Sequence, residues 1–102
     1  MKVVFGIIAL VLAPVAEELV FRGIFYPTLK QNGFPRAAWL GTALVFAAMH
    51  ANMMTFIPLA LLAFVLTWLY EHTGNLAASI IAHSSFNTLN FALLMLFPDS
   101  AP

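Results

Sequence analysis

Long apolar stretches are separated by three short segments with turn signals, and this pattern predicts four helices. The segments lie at residues 27–35, 51–58 and 71–75, and between them they contain proline, glycine and asparagine, which are typical of turns and helix ends. The predicted helices lie at about residues 3–26, 36–51, 56–70 and 76–97. A membrane-spanning helix needs roughly 20 mainly apolar residues. The middle two stretches are shorter than this, so we expect them to tilt or to thin the bilayer locally.

Individual residues refine the helix ends. Gly74 is expected to end the third helix, and Asn75 to cap the fourth. Asn52 and Thr55 are alternative caps for the third helix. Pro14 lies inside the first apolar stretch, where it removes a backbone donor and is expected to kink the helix.

Composition assigns this pattern to a membrane protein. Hydrophobic residues make up 63% of the 102-residue chain and charged residues 8%, whereas about a quarter of a soluble domain is charged. The sequence therefore predicts an all-α, polytopic membrane protein, a single domain over residues 1–102 with about four transmembrane helices. The net charge is zero without a basic cluster, which argues against nucleic acid as a partner. The absence of cysteine excludes disulfides and thiolate chemistry.

The few basic residues give an orientation. With four crossings, both termini lie on one side of the membrane and the first loop lies on the other. Lys30 and Arg36 flank that loop, whereas Lys2 is close to the amino terminus. The positive-inside rule therefore favours a cytoplasmic first loop.

Three ionisable residues lie within the first apolar stretch. Each of Glu17, Glu18 and Arg22 costs about 2.5–3.5 kcal/mol at mid-bilayer unless it is paired or faces a polar cavity. Glu18 precedes Arg22 by four residues, the favourable order for an ion pair on one helix face. Glu17 lies about 100° around the helix, so it is the chemically available carboxylate. The alternative is a charge cluster at a helix end among lipid headgroups.

Two further apolar stretches carry histidines. His50 ends the second predicted helix, and His83 shares a face of the fourth with Asn87, four residues later. A single membrane histidine is more often a hydrogen-bonding residue between helices than a catalyst. Ionisable residues in membranes usually face the bundle interior, so three helices that carry them predict one shared site. His72 adjoins a helix end and is interpreted as interfacial.

These residues form three motifs that resemble one known family. The motifs, in chain order, are Glu17-Glu18-x-x-x-Arg22, Phe46-x-x-x-His50 and His83-x-x-x-Asn87. They resemble the CPBP family of intramembrane endopeptidases, which comprises CAAX proteases and bacteriocin-processing (Abi) proteins. The resemblance implies a helical fold with polar residues around a cavity inside the bilayer. It also implies that Glu17 and His50 activate a water molecule, that His83 and Asn87 stabilise the oxyanion, and that Glu18 and Arg22 support the site.

A metal is a separate question. Members of the family are often labelled metalloproteases, and Glu17, His50 and His83 are residue types that bind zinc in catalytic sites. The sequence has no His-Glu-x-x-His pair, however, and a water activated by glutamate and histidine needs no metal. We therefore expect no required cofactor, with zinc on these three residues as the alternative.

The leading hypothesis is an integral membrane endopeptidase that hydrolyses membrane-associated peptides in a bacterial or archaeal plasma membrane. Its partners are the peptide substrate and the lipid bilayer. One alternative is a non-catalytic membrane scaffold or bacteriocin-immunity protein with a structural polar cluster, and another is an ion or proton pathway. Family members are usually longer, so a minimal member, a fragment and a protomer of a homo-oligomer all remain open.

Overall fold

The fold consists of helices joined by short turns. The computed structural model describes residues 1–50 and 53–97, and these ranges contain helices and turns but no β-strand. The helices are α1 (Lys2–Gln31), α2 (Pro35–Ala48), α3 (Phe56–Thr73) and α4 (Leu76–Leu96). The predicted all-α class is therefore confirmed. Ala51 and Asn52, predicted as a helix end and a cap, lie outside the described residues.

The observed helix ends differ from the predicted ones by a few residues. α1 continues five residues beyond the predicted end at Tyr26, so Pro27 does not begin a turn. α2 begins at Pro35, whose missing N–H is harmless in a first turn. α3 extends to Thr73 and ends at Gly74, which has a left-handed φ of 63°. Residue type therefore decides the ends at Pro35 and Gly74, and the end expected at Gly74 is confirmed, whereas Pro27 does not end α1.

The long helix α1 contains two wide π-type turns, and each is followed by a proline. The turns span Ile8–Leu12 and Phe21–Phe25. A proline in an ordinary helix interior clashes with the carbonyl four residues earlier. The turns end just before Ala13-Pro14 and Tyr26-Pro27, so the helix accommodates both rings by widening. π-type turns of this kind are frequent at functional sites.

Within residues 1–50 and 53–97, three helices are long and apolar enough to cross a membrane by length and composition, namely α1, α3 and α4. α2 has 14 residues, which at 1.5 Å per residue is about 21 Å, less than the roughly 30 Å of a hydrocarbon core. The shortness expected for the second stretch is therefore observed, whereas α3 is longer than predicted.

Apolar and polar residues are distributed as expected for a protein in lipid. Most large apolar side chains lie on the outside, including Phe5 at 64% exposure and Leu61 at 62%. The buried set is rich in polar residues: Glu18, Arg22, Thr42, Thr67, Ser79 and His83. Buried alanines on α2 and α3 let these helices approach closely, as small residues do in membranes. Phe21 and Phe46 pack edge to face at 5.3 Å between ring centres. The polar groups therefore lie inside a shell of apolar side chains.

Candidate active site

The Glu18–Arg22 ion pair predicted from the four-residue spacing is present and fully buried. Arg22 Nη1 lies 3.0 Å from Glu18 Oε2. The other guanidinium nitrogens reach α3, where Nε donates to Thr67 Oγ1 at 3.3 Å and Nη2 donates to the Ala63 carbonyl at 2.8 Å. The guanidinium also lies over the ring of Phe46, 5.1 Å from its centre. Arg22 thus connects three helices.

Glu18 also binds His83, a contact that spacing along the chain could not predict. His83 Nδ1 lies 2.7 Å from Glu18 Oε2, the same oxygen that accepts from Arg22. Because Glu18 Oε2 accepts from Arg22, it is the acceptor for His83 as well, and His83 Nδ1 carries the hydrogen. A buried partner that fixes the tautomer of a histidine also fixes the role of its other nitrogen. His83 Nε2 is therefore the atom available for chemistry.

Glu17 meets both histidines. Its Oε1 lies 3.4 Å from His50 Nε2, and its Oε2 lies 3.8 Å from His83 Nε2. The Glu17 side chain is 29% exposed, whereas that of its neighbour Glu18 is 0% exposed. The two adjacent carboxylates therefore occupy different environments, as the 100° rotation per residue predicts.

His50 lies in the turn immediately after α2 rather than on the helix. Its Nδ1 is 2.8 Å from the Phe46 carbonyl, which can only accept a hydrogen bond. Nδ1 is therefore protonated, and in the neutral ring Nε2 is unprotonated and faces Glu17. The ring also packs on Phe46 at 4.9 Å between centres.

Asn87 shares a cavity with both histidines. The cavity has a volume of about 340 Å³ and is lined by His50, Thr55, Pro58, Leu59, His83, Phe86, Asn87 and Asn90. Asn87 Nδ2 donates to the Ala9 carbonyl of α1 at 3.3 Å. The convergence predicted for Glu17 and the two histidines is thus observed as direct contacts, while Asn87 joins them through the cavity wall.

Thr67 and the Ala63 carbonyl are the site residues that sequence reasoning missed. Both lie on α3, which carries no residue of the three motifs. A threonine inside an apolar helix is a weak signal, because its hydroxyl can bond to its own helix. Only the position of α3 beside α1 reveals that Thr67 and Ala63 bind Arg22.

The metal alternative concerns Glu17, His50 and His83. Across residues 1–50 and 53–97, no group of three or more His, Cys, Asp or Glu side chains is arranged to hold a metal ion. We therefore derive no chemical step through a metal.

The fold and the site together define a helical integral membrane protein with a carboxylate and two histidines in contact among its helices. The chain belongs to the family of Rce1-like type II CAAX prenyl endopeptidases, whose model matches residues 1–89. The resemblance found in the three motifs is thereby confirmed.

Curated relatives are bacterial and longer. UPF0177 protein YxdF and UPF0177 protein YaiF of Lactococcus lactis subsp. lactis are each 32% identical to the chain, over 84% and 79% of it. "Putative membrane peptidase YdiL" of Bacillus subtilis is 27% identical over 87% of the chain. The matched regions cover 45%, 36% and 36% of these relatives, respectively, so the chain spans less than half their length. No solved structure matches the chain.

Proposed function

We propose that the chain is an intramembrane endopeptidase that hydrolyses peptide bonds of membrane-associated peptides. The observation that carries the proposal is the contact of Glu17 with His50 and His83, two residues that line the cavity. Family membership supports the same reaction class, because the family is described as an endopeptidase family. An ionisable residue in a membrane helix is a candidate functional residue by default, and here three of them meet.

Glu17 and His50 are proposed to activate the water. In the neutral ring His50 Nε2 is an acceptor, and so is the Glu17 carboxylate, so the pair makes no hydrogen bond of its own at 3.4 Å. A water molecule beside them can donate one hydrogen to each. Glu17 then takes a proton from the water as general base while the hydroxide oxygen adds to the peptide carbonyl carbon. The same proton passes from Glu17 to the amine as the C–N bond breaks.

His83 and Asn87 are proposed to stabilise the oxyanion. His83 Nδ1 already donates to Glu18, so donation from Nε2 requires the doubly protonated ring. In the proposed mechanism this positive ring lies between the Glu17 and Glu18 carboxylates, which stabilise its charge. An N–H of Asn87 supplies the second donor from the cavity wall.

The test is cleavage of labelled membrane peptides by purified protein in proteoliposomes. Glu17→Ala, His50→Ala and His83→Ala are each expected to lower turnover by at least about 100-fold, the scale of losing a base or an oxyanion donor. Turnover is expected to persist after treatment with a metal chelator, because no step uses a metal. A Glu17→Ala protein with normal turnover would contradict the mechanism.

His72→Ala is the matched control. His72 Nδ1 contacts the carbonyl of Trp68, four residues earlier, and its ring packs on that of Trp68, just as His50 does with Phe46. His72 is exposed and not among the residues that line the cavity, so its loss should leave turnover unchanged. If the three active-site variants change stability alone and the wild-type protein cleaves no peptide, the scaffold alternative replaces the enzyme.

A further inference from the structure

The first wide turn of α1 leaves one carbonyl without a backbone donor. The Ala13 N–H donates to the Ile8 carbonyl, five residues earlier. In this register the next carbonyl, that of Ala9, would accept from residue 14. Residue 14 is proline, which has no N–H. An unpaired carbonyl in a membrane helix is stabilised by a donor from another part of the protein, because lipid cannot supply one.

Asn87 supplies that donor. Its Nδ2 donates to the Ala9 carbonyl at 3.3 Å, across the contact between α4 and α1. The carbonyl also fixes which end of the amide faces α1, because a reversed amide would place two oxygens against each other. One hydrogen of Nδ2 is therefore committed to Ala9. The second hydrogen has a set direction, and Asn87 lines the cavity that holds His50 and His83.

We propose that Pro14 is a positioning residue for Asn87. By withholding a backbone donor from Ala9, Pro14 keeps that carbonyl open to the Asn87 amide and so orients the second N–H for the oxyanion. The inference rests on the proposed function, in which Asn87 stabilises the oxyanion. Pro14 is itself buried, and it lies one helical turn before Glu18, so it acts from within the packed part of α1.

The second wide turn provides an internal comparison. The Tyr26 N–H donates to the Phe21 carbonyl, so the following proline, Pro27, leaves the Arg22 carbonyl without its backbone donor. No side chain in the described part of the molecule donates to that carbonyl. Each proline therefore leaves one carbonyl without its backbone hydrogen bond. The Asn87 side chain donates to the first of these carbonyls, that of Ala9.

The experiment compares four variants in proteoliposomes: Pro14→Ala, Pro27→Ala, Asn87→Ala and the double variant Pro14→Ala/Asn87→Ala. Alanine at position 14 restores an N–H that can compete for the Ala9 carbonyl. We expect Asn87→Ala to lower kcat about 100-fold, as loss of an oxyanion donor does. Pro14→Ala should lower kcat roughly 10-fold with little change in KM, because the donor remains but is misoriented. Pro27→Ala should behave like the wild type.

The double variant separates positioning from a general effect on α1. If Pro14 acts through Asn87, the double variant is no slower than Asn87→Ala alone, because residues that act as a unit are non-additive. A further 10-fold loss in the double variant would overturn the inference, since Pro14 would then act by another route, such as through Glu17. Wild-type kcat in Pro14→Ala would also overturn it.

NMR of the asparagine side-chain amides, recorded without substrate, tests the positioning of Asn87 separately from the proposed function. The chain has five asparagines, so the side-chain amide signals in a ¹⁵N-labelled sample are few, and Asn87→Ala identifies its own pair. Pro14→Ala should shift the Asn87 amide signals, and Pro27→Ala should not. Full activity in Asn87→Ala would reject the oxyanion role, and with it the catalytic part of the inference. Unshifted signals in Pro14→Ala would reject the positioning of Asn87 even if Asn87→Ala is inactive.

Discussion

At the scale of single residues, the two adjacent glutamates have different surroundings. Glu18 is fully buried and uses one oxygen, Oε2, for both Arg22 and His83. Its Oε1 is buried without a hydrogen-bond partner among the described residues. Glu17 is partly exposed and contacts the histidines more loosely. Burial and pairing of Glu18 therefore serve stability, whereas the accessibility of Glu17 suits a chemical role.

This difference predicts that glutamine lowers stability at position 18 and abolishes turnover at position 17. Glu18→Gln leaves Arg22 as a buried charge without its partner and should lower the free energy of unfolding by about 3–5 kcal/mol. Glu17→Gln removes only loose contacts at a partly exposed site and should change it by less than about 1 kcal/mol. Glu17→Gln should nevertheless abolish turnover. Unfolding in mixed micelles and peptide cleavage measure the two quantities, and equal destabilisation of both variants would contradict the division of roles.

The sequence predicts some contacts of the site and not others. The Glu18–Arg22 pair follows from helical spacing, because residues four apart on one helix must be neighbours. The contact of His83 with Glu18 joins residues 65 positions apart, so no local rule indicates it. It depends on α4 packing against α1 at one particular height.

At the scale of elements, Arg22 connects α1 to α3. Its Nε donates to the Thr67 hydroxyl and its Nη2 to the Ala63 carbonyl. The same guanidinium binds Glu18, and Glu18 binds His83 on α4. This chain of contacts sets the rotation of α1, and with it the direction of Glu17.

Removal of the Thr67 hydroxyl should therefore weaken the protein. Thr67→Val leaves a buried guanidinium N–H without its acceptor and should lower the free energy of unfolding by about 1–3 kcal/mol. Thr67→Ser keeps the hydroxyl and should recover most of that loss. Thr28→Val is the control, because the Thr28 hydroxyl is exposed and donates to the Ile24 carbonyl of its own helix. Chemical unfolding in micelles checks the order, and equal losses for Thr67→Val and Thr28→Val would refute it.

The helix pattern was predictable because the apolar stretches and their turn residues are local signals. Asn75 caps α4 as expected, with its side chain accepting from the Ala77 N–H at 2.9 Å. The continuation of α1 through Pro27 was not predictable. Proline usually marks a boundary, and here a wide turn in the preceding residues removes the clash.

At the scale of the whole molecule, apolar side chains face outward and polar ones inward. This arrangement suits a lipid solvent, since a buried charge is tolerated only when paired. The long helix α1 carries Lys2 at one end and Lys30 at the other, with Arg36 at the start of α2. Two basic residues therefore flank the turn between α1 and α2, against one near the amino terminus.

This distribution predicts that the α1–α2 turn is cytoplasmic. The chain has no cysteine, so Asn32→Cys would be its sole thiol. In intact cells a membrane-impermeant maleimide should not label Asn32→Cys, and it should do so after permeabilisation. A cysteine inserted after Met1 is the opposite control and should be labelled in intact cells. The reverse labelling pattern would invert the orientation.

The sequence by itself determined that the protein lies in a membrane, where its helices run and which reactive side chains it carries. These properties depend on hydropathy, helical spacing and turn residues, which act over a few neighbouring positions. Tertiary structure alone decided which of those side chains touch. His83 binds Glu18, Arg22 binds α3, and Asn87 takes the carbonyl that Pro14 leaves open. Such contacts depend on the rotation and height of one helix against another, and these are set by packing between residues far apart in the chain.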